Sequence, residues 1–228
     1  MTDAMVVRLG GSHAFSPLLR PWLAAIGAAA GRVLLVPGGG PFADAVRSAQ
    51  AAMGFDNLAA HRMALLAMAQ YGIALAGLGG PFVPVDTMDA LREALADRRV
   101  PVWSPWPMLR DAPDVPASWD VTSDSLALWL ARAIASPHLL VIKHVETPPG
   151  ATVPSLVAQG VLDAAFPDFF DIYPGEVYLA GPDDLPAALD ADRPPGRRLP
   201  RTGGDSLPAP SPGSLGEPTS PAERERWM

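Results

Sequence analysis

The stretch Arg32-Val-Leu-Leu-Val-Pro-Gly-Gly-Gly-Pro41 decides the fold, because a short apolar run passes directly into three glycines and a proline. A brief apolar run that ends at glycine is typical of a buried strand, and proline is favoured in the first turn of a helix. Met5 to Leu9, followed by Gly10-Gly11-Ser12, has the same order. Two consecutive strand, glycine and helix units predict an α/β fold with a mainly parallel central sheet.

The rest of the chain continues this alternation. Further strands are predicted at Phe82–Val85, Val100–Trp103, Leu139–Lys143 and Val177–Ala180, the last of these closing the sheet. Helices are predicted at Leu18–Ala30, from Asn57 to about Leu75, at Leu128–Ala135 and, at the end of the domain, at Asp183–Leu189. The helix from Asn57 is apolar on more than one face, which indicates burial or a subunit contact.

The composition changes after Asp190, where proline, glycine, serine and arginine predominate. Such a segment buries too little apolar surface to fold. We therefore expect one folded domain at residues 1–190 and a disordered tail at 191–228.

Composition also excludes several classes of function. A net charge of -7 argues against a nucleic-acid-binding surface. The chain has no cysteine, which excludes disulfides and thiolate nucleophiles, and its four histidines lack the HExxH spacing of a zinc site. From the first residues we expect no signal peptide, and no apolar run is long enough to cross a bilayer. We expect a cytoplasmic protein without a membrane partner.

Lys143 is the only lysine among 17 basic residues, and it ends the apolar run that starts at His138. An ammonium is a compact charge on a flexible stem, suited to following a moving phosphoryl group, whereas the guanidinium of arginine is a planar fork that suits a fixed anion. The alternative is chance retention of one lysine in an arginine-rich composition.

The two glycine turns are candidate phosphate sites. Arg8-Leu-Gly-Gly-Ser-His13 places successive backbone amides at the end of a strand, where they can form an anion-binding concavity. Gly38-Gly39-Gly40 leads into a helix N-terminus, whose dipole and free amides favour an anion. Structural alternatives remain open for both, namely a tight turn for the first and close strand–helix packing for the second.

A third candidate is Asp120-Val-Thr-Ser-Asp-Ser-Leu-Ala127, just before a helix. Thr122, Ser123 or Asp124 can simply cap that helix. However, the next strand ends at Lys143, so in a parallel unit Asp124 and Lys143 can meet at one edge of the sheet. A carboxylate there would orient cations around a phosphate.

These motifs together resemble the amino acid kinase superfamily, which includes acetylglutamate, aspartate and uridylate kinases. The resemblance runs from Met5 to Leu189 and is carried, in order, by Val7–Ser12, Val36–Pro41, Thr122–Ala127 and Leu140–Val145. It implies a three-layer α/β sandwich. The stretch Ala59-Ala-His-Arg-Met-Ala-Leu-Leu-Ala-Met-Ala-Gln-Tyr-Gly72 is most similar to the branch associated with methanofuran biosynthesis, whose members phosphorylate an aminomethylfuran methyl phosphate.

The resemblance also implies the roles of individual residues in an ATP- and Mg²⁺-dependent, in-line phosphoryl transfer to a small molecule. Gly10, Gly11 and Ser12 would contact the nucleotide's terminal phosphates. The acceptor would be bound by Gly38, Gly39, Gly40, His61, Thr122 and Ser123. Arg8, Asp124 and Lys143 would be catalytic, with Lys143 also near the nucleotide. We expect a homo-oligomer.

Two departures from the family pattern support a second hypothesis. Arg8 stands where the family usually has lysine, and His144-Val-Glu-Thr-Pro-Pro-Gly150 replaces the usual Asp-Val-Asp-Gly. A nucleotide- or ligand-binding paralogue that acts as a partner or regulatory subunit is therefore the alternative to a kinase. An unrelated α/β hydrolase is not supported, because no G-x-S-x-G nucleophile elbow occurs.

Two further features allow two interpretations each. His61 is either a packed or subunit-facing histidine of its helix or an acceptor-site donor beside the second glycine turn. The proline-rich segment Trp103 to Trp119 is either a lid over the acceptor site or a surface excursion held by large apolar anchors.

Overall fold

The computed structural model describes residues 3–146, 148 and 150–201. Within them a seven-stranded sheet has the order β3-β4-β2-β1-β5-β6-β7, and every neighbouring pair is parallel except β6 and β7. The strands are β1 (Met5–Leu9), β2 (Val33–Pro37), β3 (Phe82–Val85), β4 (Val100–Trp103), β5 (His138–Ile142), β6 (Glu176–Ala180) and β7 (Arg197–Arg198). The predicted α/β fold with a mainly parallel sheet is confirmed.

Helices cover both faces of this sheet. They are α1 (Leu19–Ala28), α2 (Gly40–Met53), α3 (Asn57–Gly77), α4 (Met88–Ala96), α5 (Trp106–Leu109), α6 (Ser123–Ala133), α7 (Val153–Ala158) and α8 (Phe166–Ile172). Pro41 lies in the first turn of α2, as its residue type favours. The carboxylate of Asp56 caps α3 by accepting from the amide of Ala59 at 2.7 Å.

Side chains of the central strands alternate between two hydrophobic cores. Val6 of β1 and Val141 of β5 belong to the core shared with α4, α6 and α8, whereas Val7 and Leu140 belong to the core shared with α1. This alternation is the period of two that pleated strands impose. The sheet is thus the middle of three layers, as expected.

The end of the domain differs from the prediction. The closing helix expected at Asp183–Leu189 is wrong, because only a 3-10 turn at Pro182–Asp184 forms. Pro186 explains this difference, since a proline disfavours the helical region for the residue before it, and Leu185 has an extended ψ of 112°.

The sheet also continues beyond β6, which was expected to be its last strand. β7 pairs antiparallel with β6, and Ala191 and Leu199 are buried. Residues 191–201 therefore pack on the domain, and the predicted start of the tail at 191 is too early. A strand of two arginines carries no apolar run by which sequence reasoning would find it. The remainder of the predicted tail lies outside the described residues.

The carboxyl ends of β1 and β2 position the candidate site. β1 leads into a 3-10 helix at Gly11–Phe15, and β2 leads into α2, which packs against α3. The carboxyl end of β5 lies beside that of β1, and Lys143 follows it immediately. Both glycine turns and the single lysine thus lie at one edge of the parallel sheet.

Candidate active site

Strand alternation brings Arg8 and Lys143 to the same face of the sheet. Arg8 is paired in register with Val141 of β5, and Lys143 follows two residues after Val141. Because side chains two residues apart point to one face, both cations are directed towards α6. Each is buried, with 8% of Arg8 and 7% of Lys143 exposed.

Asp124, in the first turn of α6, binds both of these cations. Its Oδ2 lies 2.6 Å from Lys143 Nζ, and its Oδ1 lies 2.8 Å from Arg8 Nε. Only 3% of Asp124 is exposed. The carboxylate therefore holds two positively charged groups side by side beneath the glycine turns.

Ser123 completes the setting of Arg8. Its Oγ accepts from Arg8 Nε at 3.1 Å and from Arg8 Nη2 at 2.9 Å. The remaining nitrogen, Nη1, lies so close to Gly10 that a Cβ there would approach it to 2.9 Å. The guanidinium thus spans from the start of α6 to the first glycine turn.

Burial and charge compete in the titration of this trio. Burial alone would raise the pKa of Asp124, but the neighbouring Arg8 and Lys143 outweigh it and hold that pKa below its usual value. Burial, reinforced by repulsion from Arg8, lowers the pKa of Lys143 to about 8 against the attraction of Asp124. At neutral pH these three side chains carry two positive charges and one negative charge.

Asp163 is a site residue that sequence reasoning missed. Its carboxylate accepts from the amide of Thr122 at 2.9 Å, from Thr122 Oγ1 at 2.7 Å and from both the amide and Oγ of Ser125. Burial, together with the nearby charge of Asp124, raises the pKa of Asp163. This contact fixes the first turn of α6, which carries Ser123 and Asp124. A lone aspartate within an apolar run was the only available signal.

The two glycine turns touch each other through their backbones. A Cβ on Gly11 would lie 2.3 Å from the amide nitrogen of Gly40, and a Cβ on Gly38 would lie 2.3 Å from that of Gly11. No side chain fits at such separations. Close packing therefore requires these glycines, and the same packing joins the amides of both turns into one surface.

His144 and His13 flank the first turn. Ser12 Oγ and His144 Nδ1 share a hydrogen bond of 2.7 Å. His13 is buried, and Nδ1 donates to the carbonyl of Gly10 at 3.3 Å. Burial lowers the pKa of His13 to about 4, so its ring is neutral at physiological pH. His13 supports the turn without adding charge.

A cavity of about 430 Å³ opens in front of these groups. The predicted site residues that line it are Arg8, Gly11, Ser12, Gly39, Gly40, His61, Thr122, Ser123 and Lys143. Gly10 and Gly38 do not line it. The amide of Gly10 donates to the carbonyl of Ile142, and the amide of Gly38 donates to the carbonyl of Leu9, so both amides extend the sheet. Asp124 lies behind Arg8 and Lys143. The structure thus brings the three catalytic candidates together, while their roles stay predictions.

His61 lines the cavity together with Gly39 and Gly40 of the second glycine turn, and its role as an acceptor-site donor stays a prediction. Gly40 of this turn packs against the ring of Tyr71, which lies ten residues further along α3 than His61. His61 is 8% exposed, and its Nε2 is buried without a hydrogen-bond partner. Burial lowers the pKa of His61.

The segment from Trp103 to Trp119 anchors at one end and lines the cavity at the other. Trp103 is buried in β4 and stacks on Trp129 with ring centroids 6.1 Å apart. Trp119 lines the cavity, and its Nε1 donates to Gln50 of α2 at 2.7 Å. The segment is therefore both pinned by an apolar anchor and part of the wall.

Two absences hold for the described part of the chain. No group of three or more His, Asp or Glu side chains there is arranged to hold a metal ion. No helix among the described residues is long and apolar enough to span a membrane.

Comparison with known proteins gives one family. The sequence profile of the Amino acid kinase family matches residues 3–147. A curated relative, [5-(aminomethyl)furan-3-yl]methyl phosphate kinase of Methanocaldococcus jannaschii, is 26% identical over 143 residues. These residues cover 62% of this chain and 66% of the relative, just under two thirds of its length.

Solved structures show the same fold. Uridylate kinase from Archaeoglobus fulgidus superposes with a TM-score of 0.62 at 18% identity, over 86% of this chain and 100% of that one. Aspartate kinase from Synechocystis gives a TM-score of 0.57 at 15% identity, over 90% of this chain and 40% of that one. The relatives and structural neighbours are kinases.

Proposed function

The chain belongs to the amino acid kinase family, and on that premise we propose that it is an ATP-dependent kinase of a phosphorylated small molecule. Its acceptor is an aminomethylfuran-type phosphate, and its product a diphosphate of methanofuran-like cofactor biosynthesis. The acceptor class is supported by the curated relative, whose name specifies [5-(aminomethyl)furan-3-yl]methyl phosphate.

The buried trio of Arg8, Asp124 and Lys143 is the observation that carries this proposal. Two cations held by one carboxylate at the glycine turns form a preorganised site for a polyphosphate. Such groups stabilise charge in a transition state without having to reorganise when it develops. A purely structural ion pair would not need to face a cavity lined by glycine amides.

The reaction is a displacement at the γ-phosphorus of ATP. An oxygen of the acceptor phosphate attacks that phosphorus, the bond to the oxygen bridging the β- and γ-phosphates breaks, and ADP leaves. Arg8 and Lys143 neutralise charge on the phosphoryl oxygens, and the amides at Gly11 and Gly40 orient the two phosphates. Asp124 keeps the cations in place. Positioning and charge neutralisation suffice, because phosphoryl transfer needs little covalent participation by the protein.

Magnesium fits this site as an ion carried by the nucleotide. Both oxygens of Asp124 face cations of the protein, and the described residues hold no cluster of acidic ligands. Mg²⁺ commonly keeps several waters and binds through substrate phosphates instead of a cage of protein ligands. Bound in this way, it supplies neutralisation of phosphate charge.

The proposal also includes the cellular location and the oligomeric state of the protein. We expect the enzyme in the cytoplasm, where ATP is available. We also expect a homo-oligomer, because Met63, Leu66 and Ile73 of α3 are exposed apolar side chains, and groups of such side chains are commonly covered by another protein surface.

The test is ADP release measured in a coupled assay with Mg-ATP and a panel of phosphorylated alcohols that includes [5-(aminomethyl)furan-3-yl]methyl phosphate. Turnover that depends on the acceptor supports the kinase. The second candidate, ligand binding without turnover, is favoured by Arg8 and by the altered loop after Lys143. It predicts thermal stabilisation by Mg-ATP with no ADP release for any acceptor.

A further inference from the structure

We propose that Asp44 is a specificity-determining residue that binds a cationic amine on the acceptor, one turn of α2 away from the phosphate end of the cavity. This inference rests on the proposed function, since it concerns the acceptor side of the same site.

The charges that line the cavity point to such a ligand. Arg8 and Lys143 lie at the phosphate end, and Arg47 and Asp44 lie on α2. Asp44 is the only carboxylate among the described lining residues. A carboxylate in this wall offers a hydrogen-bond acceptor to a cationic group of a ligand. It complements a ligand that has an anionic group at one end and a cation at the other.

Helix α2 sets the distance between these two ends. Gly40, Ala43, Asp44 and Arg47 line the cavity at the spacing of one helical face. Gly40 belongs to the glycine surface, and Asp44 is four residues further on, about 6 Å along the axis. The amine therefore lies a short ring-sized spacer away from the phosphate.

The cavity also has an apolar wall that suits a small ring. Ala64, Leu65 and Met68 of α3 line the cavity at helical spacing, and Leu65 and Met68 are buried. These side chains offer no charge to the ligand. One ligand with a phosphate, an apolar ring and an ammonium would therefore find a complementary group in this cavity for each of its parts.

Asp44 can exchange its present partner for a ligand at small cost. It is paired with Arg47 at 3.0 Å, but its side chain is 76% exposed, and exposed pairs of this kind contribute little to stability. Arg47 has another partner, because its guanidinium lies 4.3 Å from the centroid of the Trp119 ring. An ammonium on the ligand would gain a charge-assisted hydrogen bond from Asp44.

The experiment compares the binding of two compounds by calorimetry in the absence of ATP. One is [5-(aminomethyl)furan-3-yl]methyl phosphate, and the other is its counterpart with a methyl group in place of the aminomethyl group. The proteins are the wild type, Asp44→Asn and Asp89→Asn. Asp89 is the matched control, because it forms the same i,i+3 pair with Arg92 on α4, is 87% exposed and lies outside the cavity lining.

The wild type and Asp89→Asn should bind the amine compound at least about tenfold more tightly than the methyl compound, as expected for one hydrogen bond to a charged group. Asp44→Asn should lose most of this preference. Equal affinities in the wild type, failure of the wild type to bind either compound, or a preference retained by Asp44→Asn would overturn the proposal. An equal loss for both compounds in Asp44→Asn would also overturn it, since Asp44 would then only position Arg47.

The kinase reaction is judged separately from amine recognition. ADP release by the wild type with either compound supports the proposed function whether or not Asp44 discriminates between them. A preference for the amine that depends on Asp44, without any ADP release, would contradict the transfer reaction and support the role of Asp44.

Discussion

Lys143 Nζ lies 2.6 Å from Asp124 Oδ2 in an environment that leaves 7% of the lysine and 3% of the aspartate exposed. Helix α6 and strand β5 separate the two residues in the chain, and the parallel crossover returns them to one edge of the sheet. Burying such a pair costs desolvation energy. Arg8 contacts the other carboxylate oxygen, and both Arg8 and Lys143 line the cavity. The buried pair therefore holds two cations ready to bind an anion.

Replacement of Asp124 by asparagine should strongly destabilise the fold. It would leave Arg8 and Lys143 buried without a counter-charge, and breaking a buried pair in this way typically costs about 3–5 kcal/mol. Urea denaturation of Asp124→Asn measures the change. Asp89→Asn, which breaks an exposed pair, should change the free energy of unfolding by less than about 1 kcal/mol. Equal stability of Asp124→Asn and the wild type would contradict the role given to the trio.

The titration of Lys143 predicts a pH dependence of activity. Because the pKa of Lys143 is about 8 in the folded protein, kcat/KM for ATP should fall as the pH rises through about 8 and the ammonium is lost. Lys143→Arg keeps its charge over this range, so its profile should lack the fall even though its activity is lower. An identical fall in the variant would assign the titration to another group.

Deprotonation of Lys143 should raise the free energy of unfolding, although it lowers the activity. Between the folded-state pKa of about 8 and the ordinary lysine pKa of 10.5, the unfolded chain binds a proton at Lys143 that the folded chain lacks. Stability from this residue therefore increases with pH across that window. The difference in unfolding free energy between the wild type and Lys143→Met, measured from pH 7.5 to 10.5, should change accordingly in favour of the wild type. A constant difference would contradict the lowered pKa.

Contact between the glycine turns can be tested with single methyl groups. A Cβ at Gly11 would lie 2.3 Å from the amide of Gly40, so Gly11→Ala should destabilise the protein by about 1–3 kcal/mol and weaken ATP binding. At Gly77, near the end of α3, a Cβ meets nothing within 4 Å. Gly77→Ala is therefore the control, and its stability should be unchanged or slightly raised. Denaturation and calorimetry measure both effects. Normal ATP binding by Gly11→Ala would argue against a joint amide surface.

Asp163→Ala tests how the start of α6 is held. The change removes the acceptor of the Thr122 and Ser125 groups, so partly buried donors lose their partner at a cost of about 2 kcal/mol or more. Because that turn carries Asp124, kcat should fall as well. The measurements are urea denaturation and ADP release. Full activity would show that Asp124 is positioned without Asp163.

The sequence predicts the central sheet well because its strands are short apolar runs that end at glycine or a polar turn. β3 and β4 form at the predicted residues, and β1 forms from Met5 to Leu9. The meeting of Asp124 and Lys143 also follows from sequence order, since a parallel crossover returns the chain to one edge.

Other features depend on tertiary contacts that leave no periodic pattern. Asp163 reaches the start of α6 from a loop about 40 residues later, and no motif marks that pairing. β7 consists of two arginines and is held by pairing with β6. The contact of Tyr71 with Gly40 depends on the register of α3 against α2, which a single sequence does not specify.

ADP release by Lys143→Ala tests the central claim most directly. With Mg-ATP and [5-(aminomethyl)furan-3-yl]methyl phosphate, the wild type should release ADP. The kcat of the variant should be lower by a factor of about 10² or more, as is common when a group that stabilises transition-state charge is removed. The circular dichroism spectrum of the variant should stay that of the wild type. Unchanged turnover in Lys143→Ala would contradict the assignment of this lysine to phosphoryl transfer.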